Sequence, residues 1–223
     1  MSPAPAPVVV LLRHGETEWN RAHRFQGQHD TELTARGAEQ AYAAGEALVE
    51  VARGRRLVLL TSDLRRAHAT ATALGAAVGV EPVPDPRLRE IAAGDWQGLL
   101  QVEIEALDAT AFAAWRAGED IPLGGAETPT QAGGRVREAV AEHAAALRPG
   151  DLLVAVGHGA SIRSGVGLLL GQPELRRVLV PLGNTGTAVL APGGSWRLHG
   201  WNVPPTALAD LLGRRDVPSA VVP

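Results

Sequence analysis

Two histidines in this chain stand directly behind apolar runs and beside glycine: His14 in "VVVLLRHGETEWN" and His158 in "LLVAVGHG". Arg13 precedes the first. A third apolar run, "LVLLTSD" (57 to 63), delivers Ser62 and Asp63, followed by Arg65 and Arg66. Arginine is a planar, permanently charged fork that matches phosphate oxygens. A neutral imidazole, with an unperturbed pKa of about 6.5, is a usable nucleophile near pH 7. Gly15, Gly157 and Gly159 allow backbone to approach a ligand closely, and a helix opening near Arg66 adds its positive dipole end. These are the parts of an anion site, and phosphoryl transfer needs mainly such positioning and charge stabilisation.

Other chemistries fit less well. A single histidine at a strand end is usually a core or surface residue satisfied by hydrogen bonds; two, each beside glycine and accompanied by arginine, favour a site. His14-Gly15-Glu16 contains H-x-E, but the zinc deaminase signature also needs C-x-x-C, and the chain has no cysteine. Adjacent arginines would also repel a cation. "GHGASIRSG" lacks the G-x-G-x-x-G spacing of a dinucleotide fingerprint. The missing cysteines also exclude disulfides and thiolate nucleophiles.

Composition sets wider bounds. A chain of 223 residues, 45% hydrophobic and 20% charged, can bury a sizeable core. Net charge is −3, so no overall basic field recruits nucleic acid or an anionic membrane. All 21 basic residues are arginine, which reads as codon bias beside the alanine excess. "MSPAPAPVVV" has no basic n-region, and no apolar stretch approaches the roughly 20 residues that span a bilayer. The cytoplasm is the expected compartment.

The elements that must position these residues alternate. Val8 to Leu12, 57 to 63 and 152 to 159 are apolar without alternation, as in strands covered on both faces. Thr34 N-caps a helix carrying Ala38, Ala41, Tyr42, Gly45, Leu48, Val49 and Ala52 at helical spacing. Further helices are expected over Arg65 to Val78, most of Gln97 to Gly118, Arg135 to Leu147 and Ser161 to Gly171. Residues 122 to 134 read as a Gly/Pro/Thr-rich loop, and "TAVLA" (187 to 191) and "WRLHGWN" (196 to 202) as closing strands. The expected fold class is α/β: three layers, a doubly wound, mostly parallel sheet with helices on both faces and a small helical cap insertion. One domain over 1–223 is expected, with a flexible tail at 1–7 and the cap at about 91–134. In such sheets ligands bind beyond the carboxyl ends of the strands, where the histidines and arginines would converge.

Five stretches then carry a family resemblance along nearly the whole chain. "LLRHGETEWN" resembles the RHG signature of the histidine phosphatase superfamily, the phosphoglycerate mutase-like proteins, and "RFQGQHDTELTARG" the segment after it. "SDLRRAHATA" matches S-x-L-x-R-A-x-x-T-A, "LREIAAGDWQG" matches L-x-E-x-x-x-G-x-W-x-G, and "VAVGHGASIR" is similar to the second-histidine block. The resemblance implies that His14 is the nucleophile that becomes phosphohistidine, with Arg13, Arg66 and His158 clamping the phosphate. Arg66, not Arg65, precedes the alanine of its block. Asn20 is implied at the pocket floor or side, Gln26 at its rim, and Asn184 as a further pocket polar group. Glu90 is implied to protonate the leaving oxygen and then to help activate water. Glu127 falls where relatives carry Glu-Ser; Thr128 replaces the serine here, which leaves its contacts undefined. Trp96 either walls the pocket or packs, and packing is the preferred reading. No cofactor and no metal are implied. The implied partner is a small phosphate-ester substrate, with no nucleic acid and no membrane, and a homodimer stays open.

Three functions fit this resemblance: a phosphomonoesterase, a phosphoglycerate mutase, and a non-catalytic phospho-ligand binder. Every catalytic position of the pattern is filled, against the binder. The G-x-W-x-G ending and the compact stretch after it resemble the phosphatase branch. Within that branch "GQHDTEL", "SDLRRAHATA", "GDWQGL" and "WRLHGWN" are most similar to phosphatases of a sugar-linked phosphoglycerate. Phosphosugars, phosphoglycerate and a ribazole phosphate suit the same pocket chemistry.

Overall fold

The apolar runs form the centre of a six-stranded sheet. In the computed structural model, which describes residues 6–193 and 195–213, β1 (Val8–Arg13) pairs in parallel with β4 (Leu152–Gly157). β2 (Leu57–Thr61) lies on the far side of β4, also parallel, and the two-residue β3 (Val83–Pro84) joins its edge. On the other flank β5 (Thr187–Ala191) and β6 (Arg197–Val203) run antiparallel to their neighbours, giving the order β3-β2-β4-β1-β5-β6. The sheet is thus mixed, parallel through its four-strand core.

Strand side chains alternate between two apolar layers. Val8, Val10 and Leu12 face helices α2 (Ala35–Ala52), α3 (Arg65–Val78) and α9 (Leu208–Gly213). Val9 and Leu11 face α6 (Pro129–Ala145) and α7 (Gly159–Leu169). A third cluster gathers Ile91, Trp96, Phe112 and Leu123 around α4 (Gln101–Leu107) and α5 (Ala109–Arg116). Trp96 is buried there with its ring edge-on to Phe25 and Trp115, at centroid distances of 5.8 and 6.2 Å. It packs. Two one-turn helices complete the set: α1 (Glu18–Arg21), which carries Asn20, and α8 (Leu175–Val178).

Several boundaries differ from the sequence reading, each for a local reason. α6 starts at Pro129, inside the stretch read as loop. Thr128 and Gln131 form a capping box and proline sits in the first turn, where its missing N–H costs nothing. The helical stretch read over 97 to 118 is two helices, because Asp108 ends α4 and accepts from Ala111 N to cap α5. α2 buries Gly37, Ala41, Ala44, Gly45, Leu48 and Val51, so Tyr42 and Val49 face solvent instead of the core. α7 opens at Gly159, two residues before the expected start. Residues 1–5 of the expected N-terminal tail and 214–223 at the other end lie outside the described residues.

Candidate active site

Strand register brings the distant histidines together. Arg13 stands beside Gly157 in the β1–β4 ladder, and His14 N donates to Gly157 O at 3.0 Å. On the other side of β4, Thr61 pairs with Val156 and Ser62 N donates to Val156 O at 2.8 Å. The residues just past three strand ends therefore emerge along one edge, and the His14 and His158 rings lie 5.1 Å apart between centroids. Arg66, in the first turn of α3, enters from above the gap. Its Nε lies 3.3 Å from His14 Nε2 and 3.2 Å from His158 Nδ1. Nη1 and Nη2 donate to the carbonyls of His29 and Gly27 at 2.7 and 2.8 Å, which fixes the plane of the guanidinium. Arg65 points away and pairs with Asp30 and Glu32.

These bonds assign the tautomers, since a carbonyl only accepts and a guanidinium only donates. His14 Nδ1, 2.6 Å from Gly15 O, carries the proton, which leaves a lone pair on Nε2. His158 Nδ1 faces Arg66, so its proton sits on Nε2, 2.9 Å from Ser62 Oγ. Burial holds His14 well below the usual histidine range, helped by the charges of Arg66 and Arg13; the Gly15 carbonyl opposes. Burial does the same for His158, again with Arg66. Both are neutral at pH 7. Burial also lowers Arg66, to about 10, with Glu90 and Asp30 opposing, so it keeps its charge.

The loop after β1 is held by a backbone approach. A Cβ on Gly37 would stand 2.0 Å from Glu16 O, and one on Gly15 2.4 Å from Gly37 O. Gly15 N also donates to Thr70 Oγ1 at 3.1 Å. The "TARG" and "HATA" segments thus support the histidine loop directly. Arg13 donates from Nη1 to Leu182 O at 2.6 Å, and its buried Nε has no hydrogen-bond partner.

Glu90 approaches from the loop after β3. Its Oε1 accepts from Ser161 N at 2.8 Å and Ile91 N at 2.9 Å, and Oε2 from Ala160 N at 3.2 Å. The carboxyl therefore caps α7, the helix that His158 leads into. Behind it, Gln28 Nε2 donates to Glu90 O at 3.0 Å. Arg135 donates to Arg87 O, Arg89 O and Glu90 O at 2.8, 3.3 and 3.3 Å. Glu127 pairs with Arg135 and accepts from Ala92 N at 3.0 Å. The contacts of Glu127, undefined in the sequence, are these.

The remaining expected site residues form a chain beside His14. Asn184 Nδ2 donates to His14 O and to Asn20 Oδ1, both at 3.1 Å. Thr17 N donates to the same Asn20 oxygen at 3.2 Å, and the Thr17 hydroxyl donates to Gln26 Oε1 at 3.0 Å. Asn20 and Gln26 thus reach the centre through neighbours, not through the imidazoles. Ser62, Thr70, Gln28 and Arg135 carry structural contacts that sequence reasoning did not assign. Ser62 and Thr70 lay within the quoted "SDLRRAHATA" block and Gln28 within "RFQGQHDTELTARG", usable signals; Arg135 had none.

Clefts of about 710 and 630 Å³ open beside Glu127 and Arg135 and between α2 and α3. Neither is lined by His14 or His158, which are 2% and 0% exposed. The hydrogen-bonded geometry, not cleft size, marks the site. Among the described residues no three His, Cys, Asp or Glu side chains gather as a metal site would need, and no helix is long and apolar enough to cross a membrane.

Comparison with known proteins gives a consistent picture. The model of the histidine phosphatase superfamily (branch 1) matches residues 9–204. A glucosyl-3-phosphoglycerate phosphatase of Mycobacterium tuberculosis is 38% identical over 92% of this chain and 98% of its own. A mycobacterial glucosyl-3-phosphoglycerate phosphatase solved with VO3 superposes at TM-score 0.80, with 38% identity over 88% of this chain and 98% of that one. A phosphoserine phosphatase of Entamoeba histolytica, in complex with 3-phosphoglyceric acid, gives TM-score 0.76 and 26% identity over 88% of this chain and 97% of that one.

Proposed function

The chain belongs to the histidine phosphatase superfamily (branch 1) and is a phosphatase, and from that premise we propose that His14, Arg13, Arg66, His158 and Glu90 are its catalytic set. The substrate is of the phosphoglycerate type; within that class we take glucosyl-3-phosphoglycerate as the natural one, on the likeness to the mycobacterial enzymes. One observation carries the residue assignment: the buried Arg66 guanidinium bridges two neutral imidazoles, at 3.3 and 3.2 Å.

The chemistry runs in two balanced steps. His14 Nε2 attacks phosphorus, an N–P bond forms, and the P–O bond to the leaving alcohol breaks as Glu90 gives that oxygen a proton. Water then attacks phosphorus and gives its proton to Glu90. The N–P bond breaks, and free imidazole and inorganic phosphate result. Arg13 and Arg66 offset the roughly −1.5 to −2 charge of the monoester. His158 shares the Arg66 donor with His14, and a proton shifted from its Nε2 to its Nδ1 would let it donate to a phosphoryl oxygen. Asn20, Gln26 and Asn184 hold the wall beside His14. The region 91–134 serves as the cap of a single phosphatase domain.

The test is hydrolysis of a panel of phosphate esters without added metal, together with acid-quench trapping of phosphoprotein. Wild type should release phosphate and carry acid-labile label, and His14→Ala should lose both. Activity retained in His14→Ala would remove this residue from its role. Conversion of 3- to 2-phosphoglycerate in preference to hydrolysis would replace the phosphatase reading by the mutase.

A further inference from the structure

Arg163 lies one helical turn beyond Ala160 on α7, on the face whose Ala160 N–H meets Glu90. Long side chains on a helix lean toward its N-terminus, which directs this guanidinium toward Glu90. Its Nε is buried without a hydrogen-bond partner, and its Nη1 reaches Leu179 O only at 3.5 Å. Arg13 is tied to Leu182 O three residues further along the same segment, and its own Nε is equally unpartnered. Arg176, on α8, is almost enclosed, with its side chain 10% exposed and Asp120 no nearer than 3.8 Å. Burial pulls Arg163 below the usual arginine range, Glu90 opposes this, and Arg176 adds to it. Arg13 and Arg163 therefore feel the Glu90 carboxyl, Arg176 stands near Arg163, and the Nε donors of Arg13 and Arg163 are unmet. Buried N–H groups are normally satisfied, and an orphan calls for a partner.

The phosphoryl group accounts for Arg13 and Arg66. It leaves Arg163 on the Glu90 side, where the leaving group departs, with Arg176 close to Arg163. We propose that Arg163, backed by Arg176, binds a carboxylate carried by the leaving group of the substrate. The inference rests on the phosphatase reading above and deepens it: the pair would select phosphoglycerate-type esters over neutral alcohol phosphates. A planar guanidinium fork suits a carboxylate.

The test compares 3-phosphoglycerate with glycerol phosphate, which keeps the skeleton but has a hydroxymethyl group in place of the carboxylate. In Arg163→Met, kcat/KM on 3-phosphoglycerate should fall on the order of 10- to 100-fold, mostly through KM. Glycerol phosphate should change by less than about threefold. Arg163→Lys should recover part of the loss, and Arg176→Met should show a weaker version of the same selectivity. Equal losses on both esters, or no loss on either, would overturn the subsite. Failure of the parent reading would appear separately, as wild type that hydrolyses no ester. Calorimetric binding of 3-phosphoglycerate to that protein, weakened by Arg163→Met, would still support the subsite, and absence of such binding would overturn it.

Discussion

The Arg135 guanidinium and the Glu127 carboxylate meet edge to edge, Nε on Oε1 and Nη2 on Oε2, both at 2.7 Å. The same guanidinium holds the carbonyls of residues 87, 89 and 90, so the pair joins the first turns of α6 to the loop that carries Glu90. Arg135→Met would leave Glu127 and three carbonyls short of donors in a half-buried setting. A loss of about 1–3 kcal/mol is expected in urea unfolding. Beyond stability, alkyl phosphates should turn over about tenfold more slowly, while nitrophenyl phosphate changes little, because only the former needs a well-placed acid. A parallel loss on both esters would reduce Arg135 to scaffolding.

Glu90 itself should give the same selectivity in stronger form. In Glu90→Gln the side chain can no longer pass a proton to the departing oxygen. Hydrolysis of alkyl phosphates should fall about 100-fold or more. Nitrophenolate leaves without help, so its ester should slow by less than about fivefold. Steady-state rates on the two substrate types decide the matter, and uniform slowing would argue that Glu90 acts only by capping α7.

Gly37 is a packing prediction made by backbone alone. A methyl group there would lie 2.0 Å from Glu16 O, so Gly37→Ala must push α2 away from the histidine loop. We expect about 2–4 kcal/mol of destabilisation by denaturant titration, with turnover falling as His14 loses its support. A variant as stable and active as wild type would mean that this loop has room to move.

Much of the fold and of the site could be read from residue order because the informative signals were local. Unbroken apolar runs announced β1, β2 and β4, and the polar residues after them marked one sheet edge. Register then did the rest: Arg13 opposite Gly157 places both histidines side by side, which no local pattern states. The start of α6 was missed because glycines at 124, 125, 133 and 134 suggested a loop, while the Thr128–Gln131 capping box outweighed them. The α2 stripe was misaligned at Tyr42 and Val49 because small residues, Gly37 and Ala44, take the buried positions. Arg135 carried no signal as a functional candidate, and Arg163, though it ends the quoted "VAVGHGASIR" block, was given no role. Their meaning comes from carbonyls and carboxylates far away in sequence, and a lone arginine on a helix otherwise reads as solvated surface.

The two neutral imidazoles make stability depend on pH in a defined direction. In the unfolded chain a histidine titrates near 6.5, whereas in the fold burial and Arg66 hold both His14 and His158 well below that. The unfolded state therefore binds more protons as pH drops below about 6.5, and stability falls with it. Above that pH the contribution is complete. Below it the loss runs at up to about 1.4 kcal/mol per pH unit for each histidine, until the folded-state pKa is reached. Carboxylates add their own slope at lower pH, so the comparison belongs between about pH 5 and 6.5, with a His14→Asn/His158→Asn double variant as reference. Urea unfolding across that window should give a steeper pH dependence for wild type than for the variant. Parallel slopes would mean that the imidazoles accept protons in the folded protein, and the neutral nucleophile would lose its physical basis.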